Sequence, residues 1–291
     1  MKNRFNKKYY LVCLVAFFLF FSLVGLGYLT ILTDLPEFGS LRVNFLNVGQ
    51  GDSILIQTPK QKNILIDGGP DKSLVFKLDN YIPFYKRKIN YIILTHPDKD
   101  HLVGLVEVLK RYKVDKVFLN GDKNSIPAFK EFEKTLKEKR IDFKVIKSLY
   151  SLSLEKDLKL RFLWPVKEYQ DFKERNSLSI VCLLDYRDHE FLFTGDANKK
   201  VEEFIIKNNK ALRADVLKAG HHGSKFSSSL SFLKRLKPEF FIISAGKNNF
   251  GHPHFRVLDN AKKINAKILQ TSKIGDIIFF TKDNKLFLKS N

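Results

Sequence analysis

The first regularity along the chain is an uncharged apolar run, YYLVCLVAFFLFFSLVGLGYLTIL, from Tyr9 to Leu32. At about 1.5 Å per helical residue it matches a hydrocarbon layer roughly 30 Å thick, which predicts a transmembrane helix over 9–32. A cleavable signal peptide would have a shorter apolar region and an A-x-A-like site, so an uncleaved anchor is expected. A buried soluble helix of this length would keep a polar face, and none is present. After a linker over 33–40 the pattern turns to extended runs: LRVNFLNV at 41–48, SILIQT at 53–58 and NILIDGG at 63–69. Turns at Gly49-Gln50-Gly51-Asp52 and Pro59-Lys60 separate them. A helix follows near 72–80, then a buried strand YIILT at 91–95. Helical spacing returns at 102–111 (Leu102, Leu105, Val106, Leu109) and at 126–140, where Phe129, Phe132 and Leu136 share a face. The second half predicts strands at 141–147, 158–164, 178–185 and 190–194, a helix near 198–208, and a strand at 215–219. A helix near 228–236 and strands at 239–244, 266–270, 276–281 and 285–289 complete it. Strand runs with intervening helices predict one α+β domain over 41–291, two packed sheets covered by helices.

Charge adds a location. Lys2, Arg4, Lys7 and Lys8, in a basic tail over 1–8, precede the apolar run and the first acidic residue is Asp34. The positive-inside rule then keeps the tail cytoplasmic and predicts a single-pass protein of the cell membrane with its catalytic domain extracellular. Of the net +20, those four residues account for +4, and the remaining +16 belongs to the rest of the chain. Such a surface attracts polyanions: nucleic acid, anionic lipid or cell-wall polymer. A lysine-rich composition that serves only solubility remains an equal reading. The two cysteines, Cys13 and Cys182, exclude a disulfide framework and a cysteine-based zinc site. Any metal must be held by histidine and carboxylate.

His96-Pro97-Asp98-Lys99-Asp100-His101 follows the strand at 91–95 and precedes the helix at 102–111, placing four metal-capable side chains in six positions. Imidazole and carboxylate suit Zn²⁺, Mn²⁺ or Fe²⁺. Helix capping would explain one aspartate but not the histidine pair.

This segment resembles the H-x-H-x-D-H motif of the metallo-β-lactamase superfamily, in the H-x-D-x-D-H form of the external domain of ComEC-type competence proteins. Further matches follow in order: Asn47-Val48-Gly49-Gln50-Gly51-Asp52, with Asn47 for the usual aspartate; Ile66-Asp67-Gly68-Gly69; Asn176-Ser177-Leu178-Ser179; Leu192-Phe193-Thr194-Gly195-Asp196; and Lys218-Ala219-Gly220-His221-His222-Gly223-Ser224. The last runs from Ser244-Ala245-Gly246 through Asn249-Phe250-Gly251-His252-Pro253, with Phe250 for tyrosine. The resemblance implies an αββα sandwich and two divalent ions, Zn²⁺ or Mn²⁺ with Mg²⁺ as a third option. It implies one ion on His96 and Asp98, the other on Asp100, His101 and His222, and a bridge at Asp196. His221 and His222 are not separable by chemistry, and the motif selects His222. The first ion has a carboxylate in place of one imidazole and no further imidazole, only Asn176 or water, which favours a hard metal.

The catalytic residues expected on this basis are Asp100, Asp196 and His252. Water activated between two ions is the nucleophile, Asp100 orients it, and His252 contacts the scissile phosphate or protonates the leaving oxygen. Substrate contacts are expected from Asn176, His221, Ser224, Lys247, Asn249 and His254, with Lys218 and Lys225 beside them. Of seven histidines only His189 stands outside these motifs, as a surface residue.

The function implied is a phosphodiesterase or nuclease acting on DNA or another nucleic acid outside the membrane. A ComEC-type channel needs many spans and one is present here, so any uptake role would call for a separate channel. Alternatives are hydrolysis of another anionic surface substrate, such as a phosphorylcholine ester or cell-wall polymer, and a noncatalytic DNA-binding accessory of competence. β-Lactam hydrolysis fits poorly, because the full set of imidazoles is missing.

Overall fold

The computed structural model describes residues 7–34, 39–166 and 174–289, which fall into two compact units, Met1–Glu37 and Phe38–Asn291. The first is a 28-residue helix, α1 (Lys7–Asp34). Its described side chains from Tyr9 to Leu23 are exposed. No helix among the described residues is long and apolar enough to cross a membrane. Residues 24 and 26–32 of the expected anchor lie outside the described side chains, and residues 1–6 and 35–38 lie outside the described residues altogether.

The second unit runs β1 (Arg42–Phe45), β2 (Ile54–Gln57), β3 (Asn63–Ile66), α2 (Leu74–Leu78), β4 (Lys88–Leu94), α3 (Lys99–Arg111), β5 (Lys113–Leu119), α4 (Pro127–Glu138), β6 (Asp142–Val145), β7 (Tyr150–Glu155) and β8 (Leu158–Trp164). It continues through β9 (Val181–Tyr186), β10 (His189–Phe193), α5 (Lys199–Asn208), β11 (Val216–Lys218), α6 (Leu230–Leu236), β12 (Phe240–Ile243), α7 (Phe255–Lys263), β13 (Lys267–Gln270), α8 (Thr271–Ile274), β14 (Ile277–Lys282) and β15 (Lys285–Lys289). An eight-stranded sheet has the order β15-β14-β1-β2-β3-β4-β5-β6, and a seven-stranded sheet the order β13-β12-β11-β10-β9-β8-β7.

Strand alternation explains why two sheets need three hydrophobic layers. In β2 and β3, Ile54, Ile56, Ile64 and Ile66 face the space between the sheets, where they meet Cys182, Leu184, Phe191 and Phe193. Leu55 and Leu65, paired across the two strands, face the other way. There they pack under Leu102, Leu105 and Leu109 of α3 and Phe129, Phe132 and Leu136 of α4. On the second sheet Val181, Leu183 and Leu192 point outward, covered by Val201 and Ile205 of α5 and Phe232 and Leu233 of α6. The result is the expected αββα sandwich.

Four elements escaped the sequence pattern, one of them the four-residue α8. β5 (KVDKVFL) has a charged outer half, β7 (YSLSLE) is a weakly apolar edge strand, and α7 starts directly after the Gly-His-Pro segment.

The topology positions the chemistry. β1, β3 and β4 run in one direction, and β10 to β13 are mutually parallel. The motif segments leave the carboxyl ends of these strands. The two sheets are joined there by the Ile180 N–H, which donates to the Thr95 carbonyl at 3.0 Å.

Candidate metal centre

The loop after β4 is fixed from below. Thr95 donates its backbone N–H and its hydroxyl to the two oxygens of buried Asp67, at 2.8 and 2.7 Å. Asp67 in turn accepts from His101 Nδ1 at 2.8 Å. α3 lies so close to the Asp67-Gly68-Gly69 turn that a methyl group at Gly104 would collide with the Gly68 carbonyl oxygen. Asp98 occupies the N-cap position of α3 but makes no capping hydrogen bond, which disposes of the capping explanation. Its carboxylate Oδ1 accepts instead from Arg175 at 2.9 Å and Asn124 at 3.2 Å.

The facing wall is a turn in which His221 and His222 both take left-handed backbone, with φ of 47° and 54°. Each costs on the order of 1–2 kcal/mol for an L residue. The turn deploys the two rings on different sides, the His222 ring buried and the His221 ring partly exposed.

Between these walls stands Asp196, just past β10 and 3% exposed. Its two oxygens face two different groups. Oδ1 lies 3.4 Å from His101 Nε2 and 3.6 Å from His222 Nε2. Oδ2 lies 3.8 Å from His96 Nε2 and 3.6 Å from His221 Nε2. Asp100 joins the first group, 3.2 Å from His222 Nε2, and Asp98 the second, 3.6 Å from His96 Nε2. Each fully buried imidazole has its Nδ1 committed: His96 to the hydroxyls of Thr95 and Ser179, His101 to Asp67, and His222 to the Ser244 carbonyl at 2.8 Å. That leaves Nε2 of His96, His101 and His222 and Oδ1 of Asp196 buried without a hydrogen-bond partner. Four orphaned buried atoms converging on one space are costly unless a ligand satisfies them. Imidazole nitrogens and a carboxylate within 4.8 Å of one another fit divalent metal.

The electrostatics agree. Burial, reinforced by His101, drives His96 down to about 3, so it is a neutral ligand. Burial opposes charge at His222 too, but the Asp196 and Asp52 carboxylates outweigh it and hold that group up at about 9. At His101 burial is likewise overcome by Asp196, Asp67 and Asp100, and the pKa rises well above its ordinary value. Burial would raise Asp196, yet the surrounding imidazoles hold it well below the carboxylate range. Carboxylates that stay ionised beside basic imidazoles are what a cation would neutralise.

All six expected ligands come together in this cluster. His221, expected only as a substrate contact, sits with His96 on the Oδ2 side of Asp196, its ring beside the Asn176 amide at 3.3 Å. The group on Oδ2, with His96 and Asp98, therefore has the second imidazole that the sequence reading denied it. His252 stacks edge-on against His221 with ring centres 5.2 Å apart, and burial next to His221 lowers it to about 4. It is neutral at physiological pH and suited to donating a hydrogen bond, not to acting as a charged acid.

Other expected contacts are otherwise engaged. Lys218 is fully buried, ion-paired to Asp52 and donating to the Gly195 carbonyl at 3.0 Å, so it touches no substrate. Ser224 is buried in the turn, its hydroxyl accepting from the Phe226 N–H. His254 Nδ1 caps α7 by accepting from the Arg256 N–H. Lys247 and Asn249 are exposed. Asn248 organises that loop, bonded to Gly246, Phe250 and His252 backbone groups. His189 is at the surface, bonded to the Asn284 carbonyl.

Asp52, Asp67 and Arg175 had no role assigned from sequence. The first two stood in quoted motifs, and an aspartate beside a Gly-rich turn at a strand end was the available signal. Arg175, adjacent to Asn176, gave none.

The metallo-beta-lactamase superfamily model matches residues 46–247, and the chain belongs to this superfamily of metal-dependent hydrolases. Among curated proteins it is 32% identical over 253 residues to ComE operon protein 3 of Bacillus subtilis, covering 81% of this chain and 32% of that protein. It is 28% identical over 245 residues to Recombination protein 2 of Haemophilus influenzae, covering 81% of this chain and 28% of that protein. The chain thus spans about a third of the length of these relatives. Among solved structures it resembles the metallo-beta-lactamase fold protein YhfI of Bacillus subtilis, with a TM-score of 0.57, 13% identity, and coverage of 84% of this chain and 100% of that one. It also resembles CmlA, a diiron beta-hydroxylase from Streptomyces venezuelae, with a TM-score of 0.57, 14% identity, and coverage of 87% and 55%. These likenesses show the fold. The second illustrates that one fold carries more than one chemistry.

Proposed function

We propose that the chain is a membrane-anchored phosphodiesterase acting on nucleic acid outside the membrane, with two divalent ions held across Asp196. The observation that carries the metal centre is the division of the Asp196 carboxylate between two groups of unpartnered ligand atoms. His96, His221 and Asp98 would hold one ion, and Asp100, His101 and His222 the other. Such ions supply Lewis acidity for a water and for phosphoryl oxygens. The protein does the rest by positioning: Asp67 and the Ser244 carbonyl fix their imidazoles with Nε2 forward, and Asp100 accepts a proton or orients water. His252 donates a hydrogen bond to the departing oxygen.

The polymer substrate rests on competence-protein relatives and on the net +16 carried outside the basic tail. A part in DNA uptake is the setting those relatives suggest. With two imidazoles in each group, Zn²⁺ or Mn²⁺ is the fit and Mg²⁺ the poorer one. The proposed anchoring is supported by the uncharged sequence 9–32 within the 28-residue α1, and the basic residues on its amino-terminal side favour an external catalytic unit. A choline ester is disfavoured: among the described residues, the cavity beside His221 has a single aromatic ring, Phe226, which already carries Lys225 Nζ 5.0 Å from its centre.

Hydrolysis of single-stranded DNA, double-stranded DNA and bis-nitrophenyl phosphate by the full chain in detergent, with Mn²⁺, Mg²⁺ or Zn²⁺ and an Asp196→Ala control, tests this reading. Metal-dependent cleavage abolished in the control supports it. Inactivity on all three with metal demonstrably bound would overturn it.

A further inference from the structure

Beside the metal centre lies a cavity of about 710 Å³, within the range of small-molecule sites, lined among others by His221, Asn176, Arg175, Lys199, Lys200 and Phe226. Its charges are largely committed. Lys199 pairs with Glu203 at 3.6 Å, and Arg175 is held by Asp98 and Asp122. Its amides are committed as well: Asn198 caps α5 and donates to Ser177 and Glu174, and Asn176 faces His221. The Phe226 ring has Lys225 Nζ 5.0 Å from its centre, which can cover only one of its two faces, and the side chain is still 64% exposed.

That ring stands on a pinned backbone. Phe226 donates its N–H to Ser224, and its carbonyl accepts from the Lys199 N–H at 2.9 Å. Two residues on, the buried Glu202 carboxylate accepts the N–H groups of Ser228 and Ser229. A lone exposed phenylalanine is ordinary. One on a pinned backbone, lining the same cavity as the His221 ring where most of the polar groups are engaged, presents a flat apolar face beside the candidate metal centre.

We infer that Phe226 is a stacking platform for the nucleobase next to the scissile phosphate, a subsite that rests on the nucleic-acid reading above. With no free amide to read a base edge, the platform tolerates any base but requires one that is unpaired, because a ring cannot stack on a base inside a duplex. The subsite therefore distinguishes base-bearing single strands from bare phosphodiester.

Binding of two short, hydrolysis-resistant phosphorothioate strands, one of thymidine and one abasic, to the full chain in detergent with Mn²⁺ tests it by fluorescence anisotropy. The thymidine strand is expected to bind about tenfold more tightly than the abasic one. Phe226→Ala removes that difference without changing abasic affinity, Phe226→Tyr keeps it, and Phe84→Ala, an exposed ring at the opposite end of β4, leaves it unchanged. Equal binding of both strands by the wild-type protein, or equal weakening of both by Phe226→Ala, overturns the platform. Phosphodiester cleavage would then still stand by itself, whereas failure to bind or cleave any strand overturns both readings.

Discussion

The two halves of the metal centre are built differently. The half formed by Asp100, His101, His222 and Asp196 Oδ1 has sealed imidazoles: both are at most 1% exposed, each has a dedicated partner behind it in Asp67 or the Ser244 carbonyl, and only the Asp100 side chain, 31% exposed, reaches the surface. The half formed by His96, His221, Asp98 and Asp196 Oδ2 is open. The side chains of Asp98 and His221 are 31% and 28% exposed, and Asp98 shares its carboxylate with Arg175. A ligand locked by a second hydrogen bond costs little to reorganise on binding, whereas one that must leave another partner binds more weakly. On the proposed dinuclear reading the sealed half would be the tighter site, and the open half would face substrate.

That contrast can be broken in graded ways. Asp196→Ala removes the carboxylate that both halves share, so metal analysis should show both ions lost and activity should fall on the order of a thousandfold or more. Asp67→Ala frees the His101 ring directly and loosens His96 only through Thr95; isothermal titration should show the tight site weakened about 10–100-fold and the weak one by less. His221→Ala should do the reverse, weakening only the open site, about tenfold, so that raising metal concentration restores activity. Loss of both sites in either variant would mean that the halves are not independent.

A smaller effect should appear with pH. In metal-free protein His222 is held at about 9 by Asp196 and Asp52 against burial. A raised folded-state pKa contributes stability that is fully present below the unfolded value near 6.5 and is lost as pH climbs through about 9. The melting temperature of chelated protein should therefore decline between those values. Apparent metal affinity should rise across the same window, because a proton no longer has to be displaced. A flat melting profile in chelator would show that His222 is already neutral.

Ligands of both halves were legible where they lie in short contiguous motifs at strand ends: His96 to His101 and Gly195-Asp196 announce themselves by residue type. Strand alternation in Ile54-Leu55-Ile56 and Ile64-Leu65-Ile66 likewise foretold two faces to bury. The open side depends on backbone that residue type does not reveal. His221 reaches Asp196 only because two successive residues take left-handed conformation. Arg175 meets Asp98 across 77 residues of chain. Asp52 and Lys218, 166 positions apart, form a buried pair that no spacing rule suggests. Lysine is expected at the surface, so Lys218 was read as a phosphate contact, when burial beside a carboxylate makes it structural.

The most direct test of the dinuclear arrangement is anomalous scattering from crystals of the full chain grown with Zn²⁺ or Mn²⁺. Two peaks about 3.5–4 Å apart, with one Asp196 oxygen toward each, are the result predicted. A single peak, or two that do not share Asp196, would contradict it.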